Sequence, residues 1–385
     1  MKEIIYLDNA STTYPKPEPV YQAMEDAGRN LAVNVGRGSY GLARKGFQLI
    51  EKTREQICRL AQGSALAETV LTPSATIACN QVLGGLDWKP EDVVYVTPFE
   101  HNAMMRVLYH LQQKYGFQVE ELAVDGETLE LDLEKISYQF LRKPPSVLAM
   151  THVSNVTGAI LPWEKAAELA KNASPTVIID GSQALGLVPV CLRRTLADFY
   201  IFAGHKTLYG PFGIGGYINN RGKKLEHILF GGTGSDSLNL EMSRENVRGY
   251  EPGSMNITAA AGLYAALLEC GKLSEGAGLQ KEQKLRRILT DSLKRIPGIL
   301  CYPSPKEAVG IVSFNVEGYR AEEVGMLLDE EYQIAVRTGY HCAPLIHKYL
   351  RDENYGGTVR ASMGRFTAEE DLERLTEALR EIAQG

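Results

Sequence analysis

Through the middle of the chain, short β-rich runs alternate with longer helical ones, and this alternation limits the possible folds more than any other feature. "TVLT" (69–72) precedes a helix expected to begin near Ser74, and "VVYVT" (93–97) precedes "EHNAMMRVLYHLQQKYG". "SVLAMT" (146–151) leads through a loop into "PWEKAAELAKNA", and "TVIID" (176–180) and "DFYIFAG" (198–204) follow. Strands alternating with helices predict an α/β domain on a mostly parallel sheet. Such sheets bind ligands beyond the carboxyl ends of their strands. The polar residues just past these strands are Thr76, His101, Asn155, Asp180, Gln183, His205 and Lys206. After "EPGSMN" (251–256) the pattern changes. A helical stretch from about Ile257 to Arg295, broken near residue 276, gives way to "GIVSFNV", the helical "RAEEVGMLLDEE", a loop and "TAEEDLERLTEALREIAQ". A chain of 385 residues suits two domains. The expected division is a large domain over 16–256 and a smaller α+β domain over 257–385 that includes segment 1–15.

Composition narrows the function classes. Lys and Arg total 41 against 47 Asp and Glu, a net charge of -6, which argues against a general nucleic-acid binder. "MKEIIYLDNASTTYPKP" has no apolar core of a signal peptide, and no apolar run reaches membrane-spanning length. The cytoplasm is the expected compartment. Six cysteines (58, 79, 191, 270, 301 and 342) are scattered without a C-x-x-C pair, which fits neither a disulfide framework nor a zinc ribbon. Cys79 and Cys270 fall on apolar helix faces and read as small buried hydrophobes. Cys342 lies in a loop, "RTGYHCAPLIHK" (337–348). Read locally, it fits a nucleophile, a packed thiol, or a metal ligand beside His341 and His347.

The strongest local signal is "FYIFAGHKTLYGPFGIGGYI" (199–218), a lysine after a histidine on a Gly-flanked loop behind an apolar strand. A lone loop lysine is ordinarily solvated. In a restricted site, however, a lysine loses its proton and forms a Schiff base, which is how pyridoxal phosphate (PLP) is held. The glycines at 210–216 lack the order of a nucleotide-binding fingerprint. In "VIIDGSQALG", Asp180 stands at a strand end, where a carboxylate can pair with a protonated pyridine nitrogen or simply cap a helix. "PSAT" (73–76) opens a helix after a strand, a place that suits ordinary capping or an anion such as phosphate.

The ordered set "PSAT", "EHNA", "HVSNVTG", "DGSQALG", "AGHKTLYGPFGIGG", "EPGSMN", "RTGYHCAP" and "VRAS" closely resembles the cysteine desulfurases of the class V aminotransferase group. The likeness runs from "YLDNASTT" (6–13) to the last helix, and the compact cysteine loop resembles the Suf-type and selenocysteine lyase branch. The resemblance implies the type I fold of PLP-dependent transferases, PLP as cofactor and a homodimer. It makes Lys206 the PLP-bearing lysine, His101 the ring stacked on the cofactor, and Asp180 the partner of the pyridine nitrogen. Asn155 and Gln183 then lie near the phenolic oxygen. Ala75, Thr76 and His205 meet the phosphate, as does Ser254 from the partner subunit. Arg360 matches the arginine that holds the substrate carboxylate, and Arg337 lies at the edge of the site.

Three positions depart from the family pattern: Ala203 where a hydroxyl is common, Ser254 where Thr is usual, and Tyr340 where His is frequent. The implied reaction takes L-cysteine to L-alanine and leaves the sulfur on Cys342 as a persulfide. A nearby positive charge or His341 is expected to activate the thiol, with His101 as an acid/base. A sulfur-accepting protein or thiol is the expected partner. Iron–sulfur assembly, tRNA thiolation, cofactor biosynthesis and selenium handling are the open destinations. Selenocysteine lyase or cysteine sulfinate desulfinase activity on the same scaffold, a sulfur carrier without catalysis, and a metal module at the cysteine loop are the rival readings.

Overall fold

The structure is a computed structural model and describes residues 4–35, 38–234, 238–274, 276–303 and 305–384. In chain order its first part comprises β1 (Ile5–Tyr6), α1 (Glu18–Asn30), α2 (Gly41–Leu60), β2 (Glu68–Thr72), α3 (Ala75–Gly84), β3 (Val93–Val96), α4 (Asn102–Tyr115), β4 (Gln118–Glu121), α5 (Leu133–Arg142), β5 (Val147–Thr151), α6 (Trp163–Ala170), β6 (Thr176–Asp180), β7 (Phe199–Ala203) and β8 (Gly215–Asn219). The remainder comprises α7 (Ile257–Gly271), α8 (Ala277–Leu293), β9 (Ile299–Cys301), β10 (Ile311–Val316), α9 (Ala321–Tyr332), β11 (Ile334–Ala335), β12 (Arg337–Gly339), α10 (His347–Leu350), β13 (Thr358–Ser362) and α11 (Glu369–Gln384).

A seven-stranded sheet of order β2-β8-β7-β6-β5-β3-β4 forms the large unit. β5 and β7 are buried along their whole length, because helices cover both faces of the sheet. That is why these strands read as continuous apolar runs rather than alternating ones. Helix α2 buries Ala43, Gly46, Ile50, Thr53 and Ile57, spaced three and four residues apart as one helical face requires. Helix α4 ends where Gly116 takes φ +81 and returns its N–H to the Gln112 carbonyl. β8 runs antiparallel to both of its neighbours, and the other pairings are parallel. Six strands therefore point one way, and the carboxyl ends of β2, β3, β5, β6 and β7 share one edge.

A second sheet, β12-β13-β10-β9, is wholly antiparallel, and β1 pairs in parallel with β11. An apolar cluster on this side joins Ile5 and Leu7 to residues of α8, β10, α9, β13 and α11. Helix α7, expected to open the smaller unit, instead packs on α1 and α2. It places Ile257, Ala259, Ala260, Leu263 and Leu267 in the large unit's core. Its sequence explains the correction: "ITAAAGLYAALLECG" is apolar around most of its circumference and needs cover on several sides.

Candidate active site

The common strand edge collects the polar residues that the sequence placed after each strand. At the end of β2, Ser74 caps α3 by accepting the Ile77 N–H at 3.3 Å, while Ala75 and Thr76 form the helix's first turn. Beyond β3, His101 caps α4, and its Nδ1 accepts the Ala103 N–H at 3.0 Å. The neutral ring therefore carries its proton on Nε2. In register with Asp180, Thr151 ends β5, and Asn155 follows in the next loop. Asp180 accepts the Ser182 N–H at 2.9 Å, and Gln183 donates to the Ala10 carbonyl at 2.6 Å. His205 and Lys206 follow β7. The second sheet contributes Arg337, Cys342 and Arg360, and the N-terminal segment contributes Ala10 and Ser11. All of these side chains line one cleft. Ala203 lies there too, with no hydroxyl to offer an anion.

Desolvation shapes the titration of this cleft. Burial lowers the Lys206 amine from its ordinary value, Asp180 opposes that shift, and Arg360 and Arg337 add to it. An amine so placed gives up its proton more easily than a surface lysine. Burial, followed by the charge on Lys206, lowers His101 to about 4. His205 is lowered to about 4 by burial, then by Lys206 and Lys16. Both rings are therefore neutral near pH 7.

Arg337 and Arg360 stand directly opposite each other on neighbouring antiparallel strands. Like charges so paired repel unless acceptors separate them. Ser11 and Asp8 provide those acceptors. Ser11 Oγ receives Arg337 Nη1 at 2.7 Å and Arg360 Nη2 at 2.9 Å, and Asp8 Oδ1 receives Arg360 Nη2 at 2.7 Å. Arg360 is 1% exposed, and its Nη1 reaches the Asn155 carbonyl at 2.8 Å. The second Nη of Arg337 lies 3.6 Å from Cys342 Sγ, so a guanidinium faces the thiol.

The structure redirects the expected role of His341. Its Nε2 bonds the Thr358 carbonyl and hydroxyl at 3.1 and 2.8 Å, and the hydrogen-bond partner of Cys342 Sγ is Arg337. Burial, and then Arg360, hold His341 well below the ordinary imidazole range. Among the described residues no cluster of His, Cys, Asp and Glu has metal-binding geometry. Both nitrogens of His347 are engaged as well, with Asp352 Oδ2 at 2.6 Å and the Tyr340 carbonyl at 2.9 Å.

Ser254 does not join this cleft within the chain. It lines a separate surface pocket with Asn34, Arg54 and Glu251. Asp8, Ser11, Lys16 and Glu100 have site contacts that the sequence reading did not assign. Lys16 donates to Thr13 Oγ1 at 2.8 Å and the His205 carbonyl at 2.9 Å, and burial lowers it to about 8. Glu100 is fully buried beside His101, and its Oε1 accepts from Thr97 Oγ1 at 2.6 Å and the Thr151 N–H at 2.8 Å. Burial pushes Glu100 up to about 8. The signal available in the sequence was a charged residue between the apolar "VVYVTPF" and His101.

A family model described as aminotransferase class-V matches residues 5–375. A probable cysteine desulfurase of Methanothermobacter thermautotrophicus is 31% identical over 394 residues, covering 100% of this chain and 96% of that protein. A cysteine desulfurase of Serratia proteamaculans is 30% identical, with 98% of this chain and 93% of that protein covered. Among solved structures, an apo cysteine desulfurase from Thermococcus onnurineus NA1 superposes with a TM-score of 0.88 at 29% identity, over 99% of this chain and 95% of that one. The cysteine desulfurase CsdA (S-sulfonic acid) from Escherichia coli gives 0.86 at 26%, with the same coverage of 99% and 95%. The architecture is the type I fold of PLP-dependent transferases. Matched along nearly its full length, the chain belongs to the class V aminotransferase family, among its cysteine desulfurases.

Proposed function

We propose that this protein is a PLP-dependent cysteine desulfurase that converts L-cysteine to L-alanine and receives the sulfur on Cys342 as a persulfide. One observation carries the reading: Lys206, with its lowered pKa, shares a cleft with a thiol that a guanidinium faces at 3.6 Å. The residues also fit the cofactor. Ser182 Oγ and His205 Nδ1 are buried without a hydrogen-bond partner, and both residues line the cleft. Buried polar atoms of this kind call for an acceptor or donor. Lys206 would carry PLP, Asp180 would hold the pyridine nitrogen, and His101 would lie against the ring. The first-turn amides at Ala75 and Thr76, the Thr76 hydroxyl and His205 would meet the phosphate. In a homodimer, Ser254 of the partner subunit would complete that contact.

Bound there, PLP supplies an electron sink for the α-carbon of the substrate. Arg360 holds the substrate carboxylate, because its planar fork matches two oxygens. The Lys206 amine removes the α-proton. The Cys342 thiolate, paired with Arg337, attacks the substrate sulfur. As the new S–S bond forms, the Cβ–S bond breaks, its electron pair stays with Cβ, and Cβ takes up a proton. The balance is cysteine plus enzyme thiol giving alanine plus enzyme persulfide, with no external oxidant. Asn155 donates its amide to the His341 carbonyl at 2.7 Å, so a residue expected beside the cofactor also holds the cysteine loop.

The test is turnover of L-cysteine with and without reductant, with persulfide on Cys342 measured by mass. Cys342→Ser should bind PLP normally and form no persulfide. Lys206→Ala should lose the absorption band of covalently held cofactor. Undiminished alanine formation in the Cys342 variant under turnover would remove that residue from the reaction.

A further inference from the structure

We propose that His347, bridged to Asp352, is a positioning residue for Cys342. Its ring fixes the Tyr340 carbonyl and so holds the sulfur at Arg337. The inference rests on the desulfurase reading for its consequence and on the loop's own geometry for its evidence. His341 and Cys342 are consecutive non-glycine residues with φ of +47 and +58, and Gly339 just before them has φ +96. Non-glycine residues held in this region are strained and persist only where their surroundings over-determine them.

Here three successive carbonyls are each caught by a separate donor. Tyr340 O accepts His347 Nε2 at 2.9 Å beside the local Ala343 N–H at 3.0 Å, His341 O accepts Asn155 Nδ2 at 2.7 Å, and Cys342 O accepts the Asn102 N–H at 2.6 Å. Two of these donors belong to the cofactor face of the large sheet: Asn155 follows β5, and Asn102 opens α4 next to His101. The third is His347, from the same segment as the loop, and it needs an anchor of its own.

Asp352 is that anchor. It is fully buried, its Oδ2 lies 2.6 Å from His347 Nδ1, and its Oδ1 has no other partner. Its backbone carbonyl accepts the N–H groups of Tyr355 and Gly357, which lead directly into β13 and Arg360. A carbonyl only accepts, so His347 must present a proton on Nε2, and Nδ1 then shares a second proton with the Asp352 carboxyl. The pair thus ties the loop bearing the sulfur to the strand bearing Arg360. The sequence showed this histidine only as a third member of a metal-like trio. Its ring is instead committed on both edges, and the Tyr340 ring packs edge-on against it at 4.9 Å.

His347→Ala removes the side-chain donor to Tyr340, His347→Gln keeps an N–H donor, and Asp352→Asn keeps a hydrogen-bonding partner for Nδ1. The expected split in PLP-loaded His347→Ala is loss of persulfide formation by about tenfold, the worth of one charge-assisted hydrogen bond. The concentration of L-cysteine that gives the half-maximal spectral change should stay within about twofold of wild type. His347→Gln and Asp352→Asn should recover most of the rate. Alkylation of Cys342 by iodoacetamide needs no substrate, so it reads the loop even if L-cysteine is not the substrate. Its rate should differ from wild type in His347→Ala and return in His347→Gln. Unchanged alkylation and turnover in His347→Ala would overturn the proposal. So would parallel losses of turnover, cysteine binding and thermal midpoint across all three variants, which mark a residue that merely holds the fold.

Discussion

At the residue scale, the contact that most directly governs the proposed chemistry is Arg337 against the Cys342 sulfur. A guanidinium within hydrogen-bonding reach orients the sulfur and offsets the negative charge it carries in attack. Arg337→Met should therefore slow iodoacetamide alkylation of Cys342 at neutral pH by about tenfold, the equivalent of ~1.4 kcal/mol for a charge-assisted contact. Equal rates in the two proteins would show that the thiol is activated from elsewhere. Lys206, Asp180, Cys342 and both arginines were visible in the sequence, because each sits in a motif with a characteristic neighbour. Asp8 and Ser11 were not visible as site residues. Their role exists only because Asp8 bridges to Ser362 on β13, some 350 positions away in sequence. Ser11 is an ordinary turn serine until Arg337 and Arg360 converge on its hydroxyl.

At the element scale, the strand–helix alternation located the strands of the parallel run except β4, and their order brought the predicted polar residues to one edge. The glycine-rich run after Lys206 hid a strand. "GGYIN" is β8, antiparallel between β2 and β7, and its first glycine is a steric requirement. A Cβ on Gly215 would come within 2.9 Å of both the Ala75 amide nitrogen and the Phe202 carbonyl oxygen. Neither backbone atom can yield without moving the N-terminus of α3 or the end of β7. Gly215→Ala is thus expected to lower stability by about 1–3 kcal/mol. It should also weaken PLP retention, since the first turn of α3 is the proposed phosphate seat. Calorimetry and a spectrophotometric PLP titration read the two effects separately. Wild-type affinity for PLP in this variant would argue that the phosphate sits elsewhere. Such close approaches are tertiary facts, and a glycine in a sequence does not disclose which neighbour it admits.

At the scale of the whole molecule, buried ionisable groups in the described structure pull stability in opposite directions with pH. Burial holds four imidazoles neutral, lowering His152 to about 3, His101 and His205 to about 4, and His341 well below the ordinary range. Their folded values lie below the ordinary 6.5, so the unfolded chain binds more protons as pH falls from 6.5 toward 4. Stability contributed by these neutral rings is therefore complete above 6.5 and is lost as pH falls through 4. Two carboxyls oppose this. Burial raises Glu100 and Glu282 from 4.5 to about 8. The folded chain holds their protons between 4.5 and 8, so their contribution is present below 4.5 and is lost as pH rises through 8. The imidazoles favour higher pH below 6.5, the two carboxyls favour lower pH up to 8, and above 8 Lys16, lowered to about 8, again favours higher pH. The thermal midpoint of the cofactor-free protein should thus peak at about pH 6.5 and fall on both sides. Glu100→Gln keeps an oxygen for the Thr97 hydroxyl and the Thr151 amide but carries no titrating proton. In that variant the alkaline decline should become shallower, and the acid decline between pH 6.5 and 4.5 steeper, because Glu100 opposes the imidazoles there. Differential scanning calorimetry from pH 5 to 8 reads both limbs. A wild-type midpoint that keeps rising from pH 6.5 to 8 would mean that these carboxyls are ionised in the folded protein.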